Sequence, residues 1–171
     1  MTTHNFVAGL ALAGLEFSGY AVEAQKAADA CALLQPAEIQ ALAGGAKVNP
    51  GKADSAAFTR VCNYEWGTGG NVQSGRSFLS VSVSPTSDAF PGMDPALVQQ
   101  GLLAKAKAGK PNTAVIAGIG DAAVYESDDP IRVSTTALVK GNMLIVKYES
   151  ADARAKKGQV IVMLKSAAGR L

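Results

Sequence analysis

The sequence predicts an α+β protein whose helices pack on an antiparallel sheet of about six strands. Short segments in which polar and apolar residues alternate indicate strands, and the turns that join neighbouring segments are too short for parallel crossovers. Segments with apolar residues at helical spacing lie before, between and after the strands, which gives the order α-ββ-α-ββββ-α. With 171 residues, 48% of them hydrophobic and 18% charged, the chain has the size and apolar content of one domain.

The first 24 residues resemble a secretory signal peptide. Residues 6–22 are rich in Val, Ala, Gly and Leu, and the small-residue site that ends at Ala24 predicts cleavage there. Residues 1–5 contain no Lys or Arg and Glu16 interrupts the apolar run, so a helix packed on the domain is the alternative. The interrupted run is unlike a membrane anchor, which needs about 20 apolar residues. We therefore expect residues 25–171 to form a single periplasmic or secreted domain.

Cys31 and Cys62 are the only cysteines of the chain. In an exported protein such a pair predicts one disulfide, which would close a loop of about 31 residues and stabilise the fold by about 3.5 kcal/mol. Two reduced, buried thiols are the alternative. A catalytic thiol is disfavoured, because the only histidine is His4, and the domain therefore lacks the usual activating base.

The first half of the domain is predicted to be a helix followed by two strands. Residues 33–44 form the helix segment, with Pro36 at the first helical position and Gly44-Gly45 at the end, and a polar loop over residues 47–55 follows. Alternation predicts strands over residues 57–66 and 77–85, and four glycines in residues 67–75 indicate the turn between them. On the first strand one face carries Phe58, Cys62, Tyr64 and Trp66, and on the second the polar face carries Ser80, Ser82 and Ser84.

The second half is predicted to be a helix, four strands and a final helix. Asp94 caps the first of these helices, which continues to Gly109. The strands are expected over residues 114–117, 122–126, 131–140 and 143–150, and Gly141-Asn142 is typical of a tight hairpin turn. Residues 151–170 form the closing helix, in which Gly158 is expected to weaken the middle.

Three segments together resemble a family of small exported proteins and lipoproteins of unknown function, best known from actinobacteria. The shared features are a Cys-x-Leu-Leu-x-Pro-x-Glu opening, here from Cys31, a second cysteine before an aromatic, here Cys62-Asn63-Tyr64, and a Gly-x-Gly-Asp-x-Ala turn, here from Gly118. The resemblance implies an extracytoplasmic location and a disulfide between the two cysteines, without an established activity. The order of elements is also similar to PsbP-like sheet-and-helix sandwiches.

Composition and motifs exclude several classes of function. The net charge is +2, and it becomes +4 once residues 1–24, which hold Glu16 and Glu23, are removed, so a nucleic-acid partner is not expected. Without a histidine beyond His4 the domain has neither a Ser-His-Asp triad nor a histidine metal site, and we expect no cofactor. The turn from Gly118 to Asp121 lacks the features of a nucleotide loop.

Two weaker chemical hypotheses remain. A small hydrolase would need a carboxylate pair, and the candidates on or beside strands are Glu65, Asp121, Glu126 and Glu149. A calcium site is conceivable at the acidic cluster of Glu126, Asp128 and Asp129, although a solvated hairpin turn explains its spacing better.

The favoured hypothesis is a non-enzymatic protein that binds an unknown protein partner or a small polar ligand. One candidate surface is aromatic, formed by Phe58, Tyr64 and Trp66, for which a place in the core is the alternative. The other is polar, formed by Ser80, Ser82 and Ser84 with Arg132, Ser134 and Thr136, provided that the strand register aligns them. The loop over residues 67–75 is a further candidate. Attachment to anionic envelope surfaces would instead use Arg154, Lys156, Lys157 and Lys165.

Overall fold

The computed structural model describes residues 28–108, 112–127 and 129–171. Over these residues the chain forms a seven-stranded antiparallel sheet and four α-helices, which confirms the predicted α+β class and adds one strand to the expected six. The predicted signal peptide lies outside the described residues. The strands are β1 (Lys52–Ala56), β2 (Thr59–Gly67), β3 (Arg76–Pro85), β4 (Thr113–Val115), β5 (Ala122–Glu126), β6 (Arg132–Val139) and β7 (Asn142–Glu149), and the helices are α1 (Pro36–Leu42), α2 (Thr86–Ala89), α3 (Pro95–Lys107) and α4 (Lys157–Gly169).

The strand order is β1-β2-β3-β7-β6-β5-β4, with every neighbouring pair antiparallel. After β3 the chain leaves the middle of the sheet, passes through α2 and α3, and rejoins the sheet at its far edge as β4. It then returns strand by strand until β7 pairs with β3. Because of this path, α3 lies against β4 and β5, on one half of one face of the sheet.

The other face carries the main core. Helices α1 and α4, together with a 3₁₀ turn over Ala30–Ala32, cover it. Alternate residues of the central strands point into this core and are almost completely buried, and the rings of Trp66 and Tyr148 stack there with their centroids 5.7 Å apart. We call this face the helix-covered face. Its most deeply buried side chains include Leu79, Val81, Val83, Val133, Leu144, Val146, Val160 and Leu164.

A disulfide joins Cys31 to Cys62, as predicted. It connects the 3₁₀ turn to β2, and Cys62 is completely buried. Gly51 passes so close to this bridge that a Cβ atom there would lie 2.8 Å from the sulfur of Cys62 and 2.5 Å from the ring of Tyr64. The bridge is therefore packed between the turn, the strand and the loop before β1.

Strand β1 corrects the prediction of a loop over residues 47–55. All five of its residues are exposed, so it has none of the apolar alternation by which a strand is recognised. It is an edge strand that is held by its ladder to β2 and that also touches the 3₁₀ turn. Ala57, with a φ of 49°, forms the turn between the two strands, and Phe58 lies in this turn instead of on the predicted strand.

Several element ends also differ from the prediction. Residues 151–156 form turns, so the last helix begins at Lys157 and Gly158 lies in its first turn instead of its middle. The β6–β7 hairpin turns at Lys140 and Gly141, both with positive φ, one residue earlier than expected, and Asn142 pairs with Val139. Helix α1 begins at Pro36, as predicted, and ends at Leu42, just before Gly44 and Gly45, both of which have positive φ.

Candidate functional site

The second face of the sheet is only partly covered. Helix α3 packs on it through Val98, which contacts Ala122 and Leu138, and Gln99 donates a hydrogen bond of 2.8 Å to the carbonyl oxygen of Asp121. Over β2, β3 and β7 no described helix lies against the middle of this face. We call the uncovered part the open face. The residues that point outward on this face are Val61, Asn63 and Glu65 on β2; Phe78, Ser80 and Ser82 on β3; Ile145, Lys147 and Glu149 on β7; and Arg132, Ser134 and Thr136 on β6.

The two predicted sets of hydroxyl residues share the open face. Strand β7 lies between them, so that Ser80 is paired with Lys147 and Lys147 with Ser134. In the next row Ser82 is paired with Ile145, and Ile145 with Thr136. With neighbouring strands about 4.8 Å apart, the two hydroxyl residues of each row are separated by roughly 10 Å, with one side chain of β7 between them.

Charged side chains occupy one end of the open face. Arg132 Nε donates to Glu149 Oε1 over 2.7 Å, and Lys147 Nζ lies 3.3 Å from the same oxygen. Although partial burial alone would raise the pKa of Glu149, the hydrogen bond from Arg132 and the charge of Lys147 hold it below its ordinary value. Two strands away, Arg76 Nη1 lies 3.6 Å from Glu65 Oε2. Both carboxylates are therefore neutralised by neighbouring cations.

Three depressions are formed on this side of the sheet. One, of about 520 Å³, lies beside α2 and the beginning of α3. Another, of about 310 Å³, lies at the charged end beside Asn63, Ser80 and Lys147. The third, of about 470 Å³, runs between α3 and strands β6 and β7, and we call it the α3 groove. Thr136 and Lys105 are the polar residues that line the α3 groove. The rest of its lining consists of apolar residues and a glycine: Phe90, Met93, Leu97, Val98, Gly101, Leu102, Leu138, Met143 and Ile145.

The predicted aromatic surface is divided by the structure. Tyr64 and Trp66 are only 7% and 6% exposed and lie on the helix-covered face, where they belong to the core. Phe58, in the β1–β2 turn, is 41% exposed. The alternative of a core position therefore holds for two of the three aromatics, because β2 turns this side towards α1 and α4.

Among the predicted polar residues, five remain accessible on the open face: Ser80, Ser82, Arg132, Ser134 and Thr136. Ser84 is buried at the end of β3, where its hydroxyl lies 2.9 Å from that of Thr59. The loop over residues 67–75 is closed on itself, because Asn71 and Ser74 bond each other's backbone N–H groups through their side chains, each over 3.0 Å.

The predicted carboxylates do not converge. Glu65 and Glu149 flank Phe78 on the open face, and Glu126 lies on β5, two strands away from Glu149. Asp121 lies in the turn before β5, at the other end of the sheet. For the proposed calcium cluster, Asp128 lies outside the described residues, and Asp129 accepts a hydrogen bond of 3.0 Å from the backbone of Ile131. Within the described ranges no group of three potential metal-ligating side chains occurs.

The sequence reasoning missed Lys147 and the apolar residues of the α3 groove. Strand β7 gave a signal, because its outward positions include Met143 and Ile145, apolar residues on a side that water would otherwise reach. Helix α3 gave another, since Met93, just before it, and Leu97 are 50% and 57% exposed. Neither signal assigns a groove until the path of α3 across the sheet is known.

Comparison of the chain with family models, with curated proteins and with solved structures finds no match. None of the helices in the described part of the chain has the length and apolar character needed to cross a membrane.

Proposed function

We propose that this protein is an exported, non-enzymatic binding protein that receives its ligand on the open face. The observation that carries the proposal is the register across β3, β7 and β6. This register places Ser80, Lys147 and Ser134 side by side on a surface that no described helix covers. Hydroxyl and ammonium groups in fixed relative positions suit a polar or anionic ligand.

Export is supported by the disulfide. Cysteine pairs persist as disulfides in oxidising compartments and are rare in the cytosol, where thiols are kept reduced. The Cys31–Cys62 bridge is packed against Gly51 and Tyr64, so it is a part of the folded core. The apolar character of residues 6–22 adds a sequence-level argument for a signal peptide.

Carboxylate-dependent hydrolysis is the less favoured function. A general acid needs a carboxyl group whose pKa is raised, so that it still carries its proton near neutral pH. The pKa of Glu149 is instead lowered, since Arg132 and Lys147 outweigh the effect of burial. Glu65 is likewise held next to a cation, Arg76. Glu149 therefore orients neighbouring side chains of the open face more readily than it exchanges a proton.

Electrostatic attachment to the cell envelope is also less favoured. Arg154, Lys156 and Lys157 lie together at the N-terminal end of α4, but Lys157 Nζ is 3.8 Å from the centre of the Tyr125 ring and so has a role within the domain. Lys165 lies two turns further along the helix. A basic cluster of this kind is ordinary on a solvated helix.

A thermal-shift screen with variants on the two sides of the sheet tests the proposal. The purified protein is heated with a panel of sugars, phosphates and carboxylates, and a ligand of the folded state raises the unfolding temperature. We expect Ser134→Arg to abolish that rise, because the new side chain fills the open face. The matched control is Ser55→Arg on β1, which is exposed and pairs with Arg60 on the other side of the sheet. A rise that survives Ser134→Arg would contradict the proposal.

A further inference from the structure

The α3 groove has the properties of a site for an apolar chain. Its volume of about 470 Å³ is within the usual range for small-ligand sites, and its walls are mostly aliphatic. The helix that forms one wall is attached to the sheet mainly through Val98, with Leu102 and Leu103 only partly buried. Met93 and Leu97 remain about half exposed along its rim, so apolar surface is available for a ligand to cover.

The polarity of the groove changes along its length. Phe90, Met93 and Met143 lie at the end near the beginning of α3, and this end continues into a second hollow that shares Phe90, Met93 and Leu138. At the other end Lys105 lines the groove; among its described lining residues this is the one that carries a charge. The chain thus provides an apolar slot with a cation at one end.

Further cations lie just beyond that end. Lys147 follows Ile145, a lining residue, by two positions on the same side of β7, and it is paired with Ser134 across the sheet. Arg132 is the outward residue next to Ser134 on β6. The carboxylates of the same region are Glu149, which is paired with Arg132, and Glu126, which is paired with Ser134. Lys105, Lys147 and Arg132 therefore outnumber the acidic groups, and the hydroxyl of Ser134 provides a hydrogen-bond donor.

We propose that the α3 groove holds the alkyl chain of a single-chain amphiphile, and that its anionic head group lies over Lys105, Lys147 and Ser134. The inference rests on the proposed function and deepens it, because it names the chemical class of the ligand. An alkyl chain matches the aliphatic walls, and an anionic head group matches the excess of cations where the groove meets the open face. The hydroxyl rows then contact the head group, not the chain.

Glycines in two helices provide a matched test. A Cβ atom at Gly101, in the wall of the α3 groove, meets nothing within 4 Å, and the same is true of Gly158 in α4, on the other side of the sheet. Phenylalanine at either position gains helix propensity over glycine, so neither variant should unfold. Gly101→Phe fills the groove, whereas Gly158→Phe leaves it open.

Isothermal titration calorimetry with dodecyl phosphate below its critical micelle concentration measures the effect. We expect one site on the wild-type protein, affinity reduced at least tenfold in Gly101→Phe, and wild-type affinity in Gly158→Phe. Lys105→Glu should weaken binding of dodecyl phosphate but not of uncharged dodecyl maltoside, because only the former places an anion at Lys105. Circular dichroism melting curves verify that each variant is folded.

The inference is overturned if dodecyl phosphate does not bind, or if Gly101→Phe and Gly158→Phe weaken it equally. It is also overturned if an amphipathic peptide binds in the groove while dodecyl phosphate fails to displace it. If amphiphiles fail but a small polar compound raises the unfolding temperature and is blocked by Ser134→Arg, the binding function stands and only the amphiphile is wrong. If neither kind of compound binds, both proposals fail.

Discussion

The two faces of the sheet use alternate residues of the same strands for different purposes. On β7, Leu144, Val146 and Tyr148 are almost completely buried under the helices, whereas Ile145 and Lys147 between them remain partly exposed. The helix-covered face therefore carries most of the stability, and the open face has side chains that are free to meet a ligand. Because neighbours in sequence point to opposite faces, the two properties can be altered separately by substitutions one residue apart.

The largest expected difference separates Leu144 from Ile145. Leu144→Ala should lower the free energy of unfolding by about 4 kcal/mol, since it leaves a cavity in a fully buried site. Ile145→Ala, at a partly exposed position, should cost about 1 kcal/mol. Urea denaturation followed by circular dichroism measures both. Equal losses would mean that the open face is covered in solution, and the contrast between the faces would fail.

Removing the disulfide should have the next largest effect, again on the helix-covered face. The double variant Cys31→Ser with Cys62→Ser should be less stable by about 3.5 kcal/mol, because the bridge restricts a loop of about 31 residues in the unfolded chain. The wild-type protein with and without a reductant is the control for the serine substitutions. An unchanged urea midpoint in both comparisons would show that the bridge contributes little to stability.

A smaller, pH-dependent effect is expected where Arg170, just after α4, meets α1. Arg170 Nη1 donates to Glu38 Oε2 over 2.9 Å and Nη2 to Glu38 Oε1 over 3.0 Å, and these bonds outweigh burial and lower the pKa of Glu38. A lowered carboxyl pKa contributes stability above the unfolded-state pKa, and that stability is lost as the pH falls through the folded-state pKa.

Arg170→Gln should therefore shift the urea midpoint more at pH 6 than at pH 3, because protonation of Glu38 as the pH falls weakens its ion pair with Arg170. Some loss should remain at pH 3, because Arg170 also donates to the carbonyl oxygen of Leu33 over 2.7 Å. Arg154→Gln, at an exposed position, serves as the control. A midpoint shift of the same size at both pH values would mean that the Arg170–Glu38 ion pair does not contribute to stability.

The smallest effect on stability is expected on the open face itself. Ser80→Ala and Ser134→Ala should each change the free energy of unfolding by less than about 0.5 kcal/mol, because both residues are partly exposed and remote from the main core. Both should nevertheless weaken binding of any ligand found in the thermal-shift screen. A large loss of stability from either variant would assign these serines a structural role instead.

The strands of the central sheet could be predicted because their alternation is strong. Cys62, Tyr64 and Trp66 on β2, and Leu79, Val81 and Val83 on β3, follow the period of two that burial on one face imposes. Strand β1 could not be predicted in the same way. All of its residues are exposed, so neither side of the strand needs to be apolar and no alternation arises.

The candidate site was only partly predictable for a different reason. The sequence indicated polar rows that contain Ser80, Ser82 and Ser134, but register depends on which strands become neighbours, and β3 pairs with β7 across more than fifty intervening residues. The position of Lys147 between Ser80 and Ser134 follows from that pairing alone. The α3 groove depends in addition on where the helix crosses the sheet, which local spacing does not specify.

The central claim is that ligands meet the open face, and amide-resonance mapping tests it most directly. The ¹⁵N-labelled protein is recorded before and after titration with dodecyl phosphate and with the compounds found in the thermal-shift screen. We predict that the changes in chemical shift lie in residues 78–82, 132–136 and 143–149, with those of α3 added for the amphiphile. Changes confined to α1 and α4, with the open-face amides unmoved, would contradict the claim.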